Sequence, residues 1–186
     1  GFYDSQAFNI SLSMIEQYAL ARSMIMKTVD TFLPLADKIV LAGAPGNHGE
    51  MTRNGKGKVI TSRLDNSDTM HLQICDEIMY ANKERYKSVT VEIPDGFHQT
   101  MTIKNIPCAW THGHMSGGGG NAEDAQILIT GHYHHFRSKM QGDRTWFQSP
   151  SLDKSIDFTA RTGNWSHPGV LSFTVNNKGW DNLKIL

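Results

Sequence analysis

The sequence predicts a mixed α/β fold, and three observations carry that expectation. Two stretches place apolar residues at helical spacing. Several short runs are either apolar and β-branched or alternate in polarity, as strands do. The two kinds of segment are interleaved along 186 residues, a length that suits one domain with its own core, so residues 1–186 are read as a single domain.

The elements follow in order. Residues 11–35 are expected to form a helix, with Ile15, Tyr18, Ile25, Val29 and Phe32 on one stripe and Pro34 near its end. Ser13 followed by Glu16 has capping-box spacing. "KIVLA" (38–42) has the composition of a buried strand and stops at "GAPGNHGE". After a polar, basic loop at 50–65, a second helix is expected at 66–84. Met70, Ile74 and Ile78 are spaced by four, and Asn66, Ser67 and Asp68 are candidate caps. "SVTVEI" (88–93) alternates like a half-buried strand, and "QTMTIKNI" and "PCAWT" continue as strands into "HGHMSGGGGN". "AQILIT" (125–130) is a further buried strand ending at "GHYHH". A hairpin is expected at 136–148 around Gln141–Gly142–Asp143, and "GVLSFTVNNKGWDNLKIL" holds two last strands. The "GGGG" at 117–120 lacks phosphate-cradle spacing and is taken as a loop.

Composition narrows the function classes. Lys+Arg and Asp+Glu are both 18, so there is no basic surplus, and a polyanion would need a local or metal-built site. Cys75 and Cys108 are too few for a disulfide framework and are expected to be buried free thiols. That suits a reducing compartment. With no run of eighteen apolar residues and no signal-like start, a cytoplasmic protein without membrane association is expected. The chain opens at Gly1 without a methionine, as a fragment or processed product would.

Nine histidines are present, and five of them fall within residues 112–135. "KIVLAGAPGNH", "PCAWTHGH" and "AQILITGHYH" share one design: an apolar strand, then at once a loop with Gly or Thr and then His. In layered α/β folds, sites collect beyond the carboxyl ends of strands. Three neighbouring strands would bring Asn47, His48, His112, His114, His132 and His134 to one rim. Neutral imidazoles and an amide oxygen are good ligands for Mn²⁺, Fe²⁺, Zn²⁺ or Ni²⁺. If the strand at 125–130 continues, His132 and His134 face the same way.

"GNH" followed by an acid, "HGH" and "GHxH", in that order and each after a strand, resemble the last three motifs of the calcineurin-like metallophosphoesterases. "GNHGE", "THGH" and "GHYHH" are specific together, where each alone is weak. The resemblance spans roughly residues 38–150 and lies nearest the nuclease branch, which includes bacterial and phage DNA-repair-type exonucleases. It implies a four-layer αββα sandwich and hydrolysis of phosphodiesters, DNA among them, at two divalent metal ions, Mn foremost and Fe, Zn or Ni as alternatives. It implies attack by a metal-bridged hydroxide. Asn47 and His112 would be metal ligands, His132 would complete the same ion, and His134 would hold the second. His48 would assist the leaving group as the catalytic histidine.

Two departures from the family pattern stand out. Gly49 separates "GNH" from Glu50, which would orient His48. The family's first motifs, Asp-x-His and Gly-Asp-x-x-Asp/Glu, do not occur, and the second would supply the bridging carboxylate. The expectation is a C-terminal portion of the domain without its N-terminal strands, a piece that alone would be inactive.

Blander readings stand beside these. His114 is as much an ordinary neighbour as a substrate contact, and Arg161 in "ARTGNW" is a candidate phosphate contact. "RNGKGK" (53–58) is a solvated loop before it is a nucleic-acid contact. The four tryptophans suit packing better than base stacking. His71, His98, His135 and His167 are expected to be ordinary residues. The rival function is a degenerate phosphoesterase fold serving as a binding or scaffold module without catalysis. A metallo-β-lactamase-type site needs His-x-His-x-Asp-His, which "HYHHFR" does not provide. Oligomeric state has no signature in the sequence.

Overall fold

A computed structural model describes residues 11–51, 62, 65–115, 124–153, 160, 163, 165 and 167–186. The fold is mixed α/β. Its described elements are helices α1 (Met14–Phe32) and α2 (Ser67–Ala81), and strands β1 (Ile39–Ala42), β2 (Val89–Glu92), β3 (His98–Ile103), β4 (Ile106–Thr111), β5 (Ile127–Thr130), β6 (Arg137–Gln141), β7 (Arg144–Gln148), β8 (Leu171–Asn176) and β9 (Gly179–Ile185). The chain divides into two compact units, Gly1–Phe97 and His98–Leu186, and each is described by itself.

In the first unit, β1 and β2 pair in parallel, with α2 as the crossover between them. α1 starts on the expected capping box: the Glu16 N–H donates to Ser13 Oγ, and the Ser13 N–H donates back to Glu16 Oε2 at 2.8 Å. The core joins Val29, Cys75, Met79 and Tyr86, with Ile25, Met26, Leu33, Leu41, Val89 and Val91 packed against them. Ile15 and Phe32, expected on the buried stripe, are 79% and 52% exposed. Length explains much of this. A 19-residue helix runs about 28 Å, whereas four-residue strands run about 13 Å, so the sheet covers only part of α1. On α2 the buried face is Leu72, Cys75 and Met79 rather than Met70, Ile74 and Ile78. Both sets have helical spacing, and apolar residues on both sides left the choice to tertiary packing.

In the second unit, five strands form one sheet in the order β3-β4-β5-β7-β6. The central three, β4, β5 and β7, are parallel, and β3 and β6 are antiparallel edges. Ile106, Cys108, Ile127 and Phe147 form the core on one side, where Leu171, Phe173, Val175 and Leu183 of the β8–β9 hairpin cover them. Ala109, Ala125 and Leu128 pack with Trp146 in a separate cluster. "QTMTIKNI" is not one strand. Lys104 and Asn105 have φ of 50° and 68° and make the two-residue turn between β3 and β4. Positive φ at both central positions matches the twist of a tight hairpin. Cys75 and Cys108 are buried free thiols, and burial raises the pKa of each. Among the described residues, no helix is long and apolar enough to cross a membrane.

Candidate functional site

The first unit carries the "GNH" turn. The Gly49 N–H donates to the Gly46 carbonyl at 3.2 Å, closing a β-turn with Asn47 and His48 at its centre. Asn47 is half-buried and His48 is exposed. Glu50 is buried and forms a backbone bridge with Asn66, the N-cap of α2. Gly49, which interrupts the family pattern, lies hard against that cap. A Cβ built there would collide with Asn66 Oδ1 and stand 2.8 Å from Asp68 Oδ2. Only glycine fits so close an approach.

The second unit carries the histidine rim. β4 and β5 are parallel neighbours in register, Thr111 opposite Thr130, so the loops after them begin side by side. His112 leaves β4 and His132 follows β5. Their rings meet edge to face at 5.1 Å, and His112 Nε2 lies 3.2 Å from His132 Nδ1. His114 joins them, its ring 5.2 Å from His112 and 6.1 Å from His132. Gly113, between His112 and His114, takes φ of 95°, a conformation that residues with a Cβ rarely adopt. His134 lies in the same loop, its Nδ1 4.0 Å from the exposed Asp153 carboxylate.

The expected strand alternation of His132 and His134 does not occur. β5 ends at Thr130, and both histidines sit in the left-handed region, with φ of 71° and 60°. Such a backbone is uncommon for residues with a Cβ, and two within three residues mark a loop shaped by its surroundings. The loop is tied down from β7. Gln148, fully buried, donates from Nε2 to the His135 carbonyl at 2.6 Å, and the Ser149 N–H donates to the Thr130 carbonyl at 2.7 Å. Sequence reasoning missed Gln148. A glutamine directly after Trp146 and Phe147 was its only signal.

The expectation of three neighbouring histidine-bearing strands also needs correction. β4 and β5 are neighbours, but β1 pairs with β2 in a sheet of its own, and the third parallel strand beside β5 is β7. Arg161, the 53–58 loop and the glycines at 117–120 lie outside the described residues. Trp146 and Trp180 donate to Thr130 Oγ1 and Thr145 Oγ1, which is packing rather than a stacking platform.

His112 and His132 meet as hydrogen-bond partners, one ring nitrogen donating to the other, and the same separation is near that of two nitrogens sharing an ion. Two nitrogens bound at about 2.0–2.1 Å to one tetrahedral ion stand about 3.3–3.4 Å apart, close to the separation found here. The pKa of His132 is lowered, first by burial and then by His134, so the ring is held in the neutral form that binds metal. Among the described residues, no three of His, Cys, Asp and Glu are grouped to hold an ion by themselves.

No family model matches the chain, and no curated protein matches it. Solved structures do. An archaeal phosphodiesterase shares 14% identity over 85% of this chain and 74% of its own, with a TM-score of 0.43. A conserved uncharacterized protein of Streptococcus pneumoniae, described as a predicted phosphoesterase, shares 11% over 82% and 74%, with a TM-score of 0.40. Vps29 of Entamoeba histolytica, in a zinc complex, shares 16% over 57% and 73%, with a TM-score of 0.37. At these scores the likenesses carry no argument about what this chain does.

Proposed function

We propose a metal-dependent phosphoesterase function on phosphodiesters, with DNA as a candidate substrate and Mn²⁺ as the favoured ion. The observation that carries the reading is the His112–His132 pair, two imidazole nitrogens 3.2 Å apart at the carboxyl ends of neighbouring parallel strands. The motif resemblance adds Asn47 and His134 as further ligands. A bound divalent ion would supply Lewis-acid polarisation of the phosphoryl oxygens and an activated water. The chain's own groups do the rest. His112 and His132 offer ring nitrogens, and burial lowers the pKa of His132. His48 is exposed on its turn. Its imidazolium N–H is assigned to the leaving oxygen, where it donates a proton as the ester bond breaks.

The test is Mn²⁺-dependent hydrolysis of bis-p-nitrophenyl phosphate and single-stranded DNA by the full-length product, with Mn²⁺ affinity measured separately by calorimetry. His48→Ala should lose roughly two to four decades of rate and keep its Mn²⁺ affinity. His132→Ala should lose Mn²⁺ affinity itself. A full-length product that binds Mn²⁺ and cleaves neither substrate would overturn the catalytic reading and leave the scaffold module. An unchanged rate in His48→Ala would remove the leaving-group role.

A further inference from the structure

We infer that Asn66 and Asp68 are positioning residues for the Asn47–His48 turn, through side-chain hydrogen bonds that a helix cap alone does not require. The inference rests on the proposed function only in the value it gives to Asn47 and His48.

The cap of α2 is ordinary in one respect. Asn66 Oδ1 accepts the Asp68 N–H at 2.8 Å, which satisfies one of the otherwise unpaired donors of the first turn. The rest of the hydrogen bonding turns away from the helix. Asn66 Nδ2 donates to the Gly46 carbonyl at 2.8 Å, twenty residues back in the chain. Asp68 Oδ2 accepts the Gly46 N–H, also at 2.8 Å. The Ser67 N–H donates to the Gly49 carbonyl at 2.7 Å. Both polar groups of Gly46 and the carbonyl of Gly49 are thus held from α2, and these are the first and last residues of the turn.

What remains between the two anchors is Asn47 and His48. With residues 46 and 49 fixed, the directions in which their side chains leave the backbone are fixed as well. Asn66 is itself buried, 3% exposed, so its amide has little access to competing water. Asp68 keeps an exposed surface as a residue, but the surroundings of its carboxylate raise its pKa, with the Gly46 hydrogen bond and His71 acting the other way. Gly49 completes the arrangement, since a side chain there would collide with the clamp.

Three variants of the full chain test this. Asn66→Ser keeps a cap acceptor for the Asp68 N–H and is too short to reach the Gly46 carbonyl. Asp68→Ala removes the acceptor for the Gly46 N–H, and Asp68→Asn restores one. Hydrogen exchange of the Gly46 amide, followed by NMR, should accelerate about tenfold in Asp68→Ala, the worth of one net hydrogen bond, and return to near the wild-type rate in Asp68→Asn. Asn66→Ser should keep the helical circular dichroism of wild type, shift the Asn47 and His48 amide resonances, and lower kcat about tenfold with KM unchanged. A structural cap would give none of these signatures in a variant that still caps. Unchanged Gly46 exchange in Asp68→Ala, or full kcat in Asn66→Ser, would overturn the inference. If the wild-type chain proves inactive, the proposed function fails alone, and the exchange rates and amide shifts still decide the clamp.

Discussion

The turn at 46–49 and the loop at 131–135 both follow apolar strands, and both carry histidine, yet they are held in shape by different means. The turn has no residue at positive φ, and its form comes from side chains of another element: Asn66 and Asp68 grip Gly46 from the start of α2. The loop is set by its own sheet. β4, β5 and β7 place its ends in register, Gln148 holds its base, and His132 and His134 absorb the turning as left-handed residues. One histidine is presented on a relaxed backbone by borrowed hydrogen bonds, the other on a strained backbone by a rigid ladder. Substitutions should therefore break them in opposite ways.

The largest effect is expected at Gly49. Gly49→Ala forces a methyl group against Asn66 Oδ1, with Asp68 Oδ2 just beyond, so either the clamp or the turn must move. Overpacking of this kind costs about 2 kcal/mol, more than the ~0.4–1 kcal/mol that alanine recovers by stiffening the unfolded chain. Urea denaturation should show the loss. A variant as stable as wild type would mean that the turn does not lie against the cap as described.

The reverse is expected at His132. With φ of 71°, any residue bearing a Cβ carries a backbone cost there. His132→Gly and His132→Ala both remove the imidazole, so they differ chiefly in that cost. Without metal, the glycine variant should be the more stable by about 1 kcal/mol, read from urea midpoints. The same pair at Asn47, where φ is not positive, should reverse in sign, because glycine there only loosens the unfolded chain. Equal ordering at the two positions would erase the distinction between relaxed turn and strained loop.

Much of this was legible in the sequence, and the reasons divide cleanly. Ser13 and Glu16 announced their capping box because both partners lie within one helical turn. The hairpin at 136–148 carried Gly142 at its tip, and the histidine pair after β4 and β5 followed from two apolar runs that do pair. The failures are non-local or lack a residue-type signature. Nothing adjacent to β1 says that it pairs with β2 rather than with the strands it resembles. Lys104 and Asn105 take positive φ without a glycine, so their turn hid inside a strand-like run. Asn66 and Asp68 were visible as caps, but their reach to Gly46 spans 20 and 22 residues, and no local pattern encodes it.

The smallest expected effect compares the two units through pH. His71, one turn beyond Asp68 on α2, is buried and meets the Tyr18 ring edge to face at 5.1 Å. Burial lowers its pKa, Asp68 opposes that, and Arg22 adds to it. His132 is shifted the same way by burial and by His134. A histidine with a folded pKa below its unfolded value favours the fold when neutral. That contribution is complete above the ordinary value of 6.5 and is lost as pH falls through the lower folded value. The raised carboxyl of Asp68 works with the opposite sign, since protonation relieves its burial as pH falls. The turn-bearing unit should therefore weaken modestly between about pH 7 and 5. His71→Phe keeps an aromatic ring beside Tyr18 and cannot take up a proton, so it should remove that part of the acid loss and leave the part due to His132. Backbone exchange in α2, measured at both pH values, separates the two units. If His71→Phe leaves the pH response of α2 as it was, the acid sensitivity of that helix has another source, and the shifted histidines of the two units are not alike.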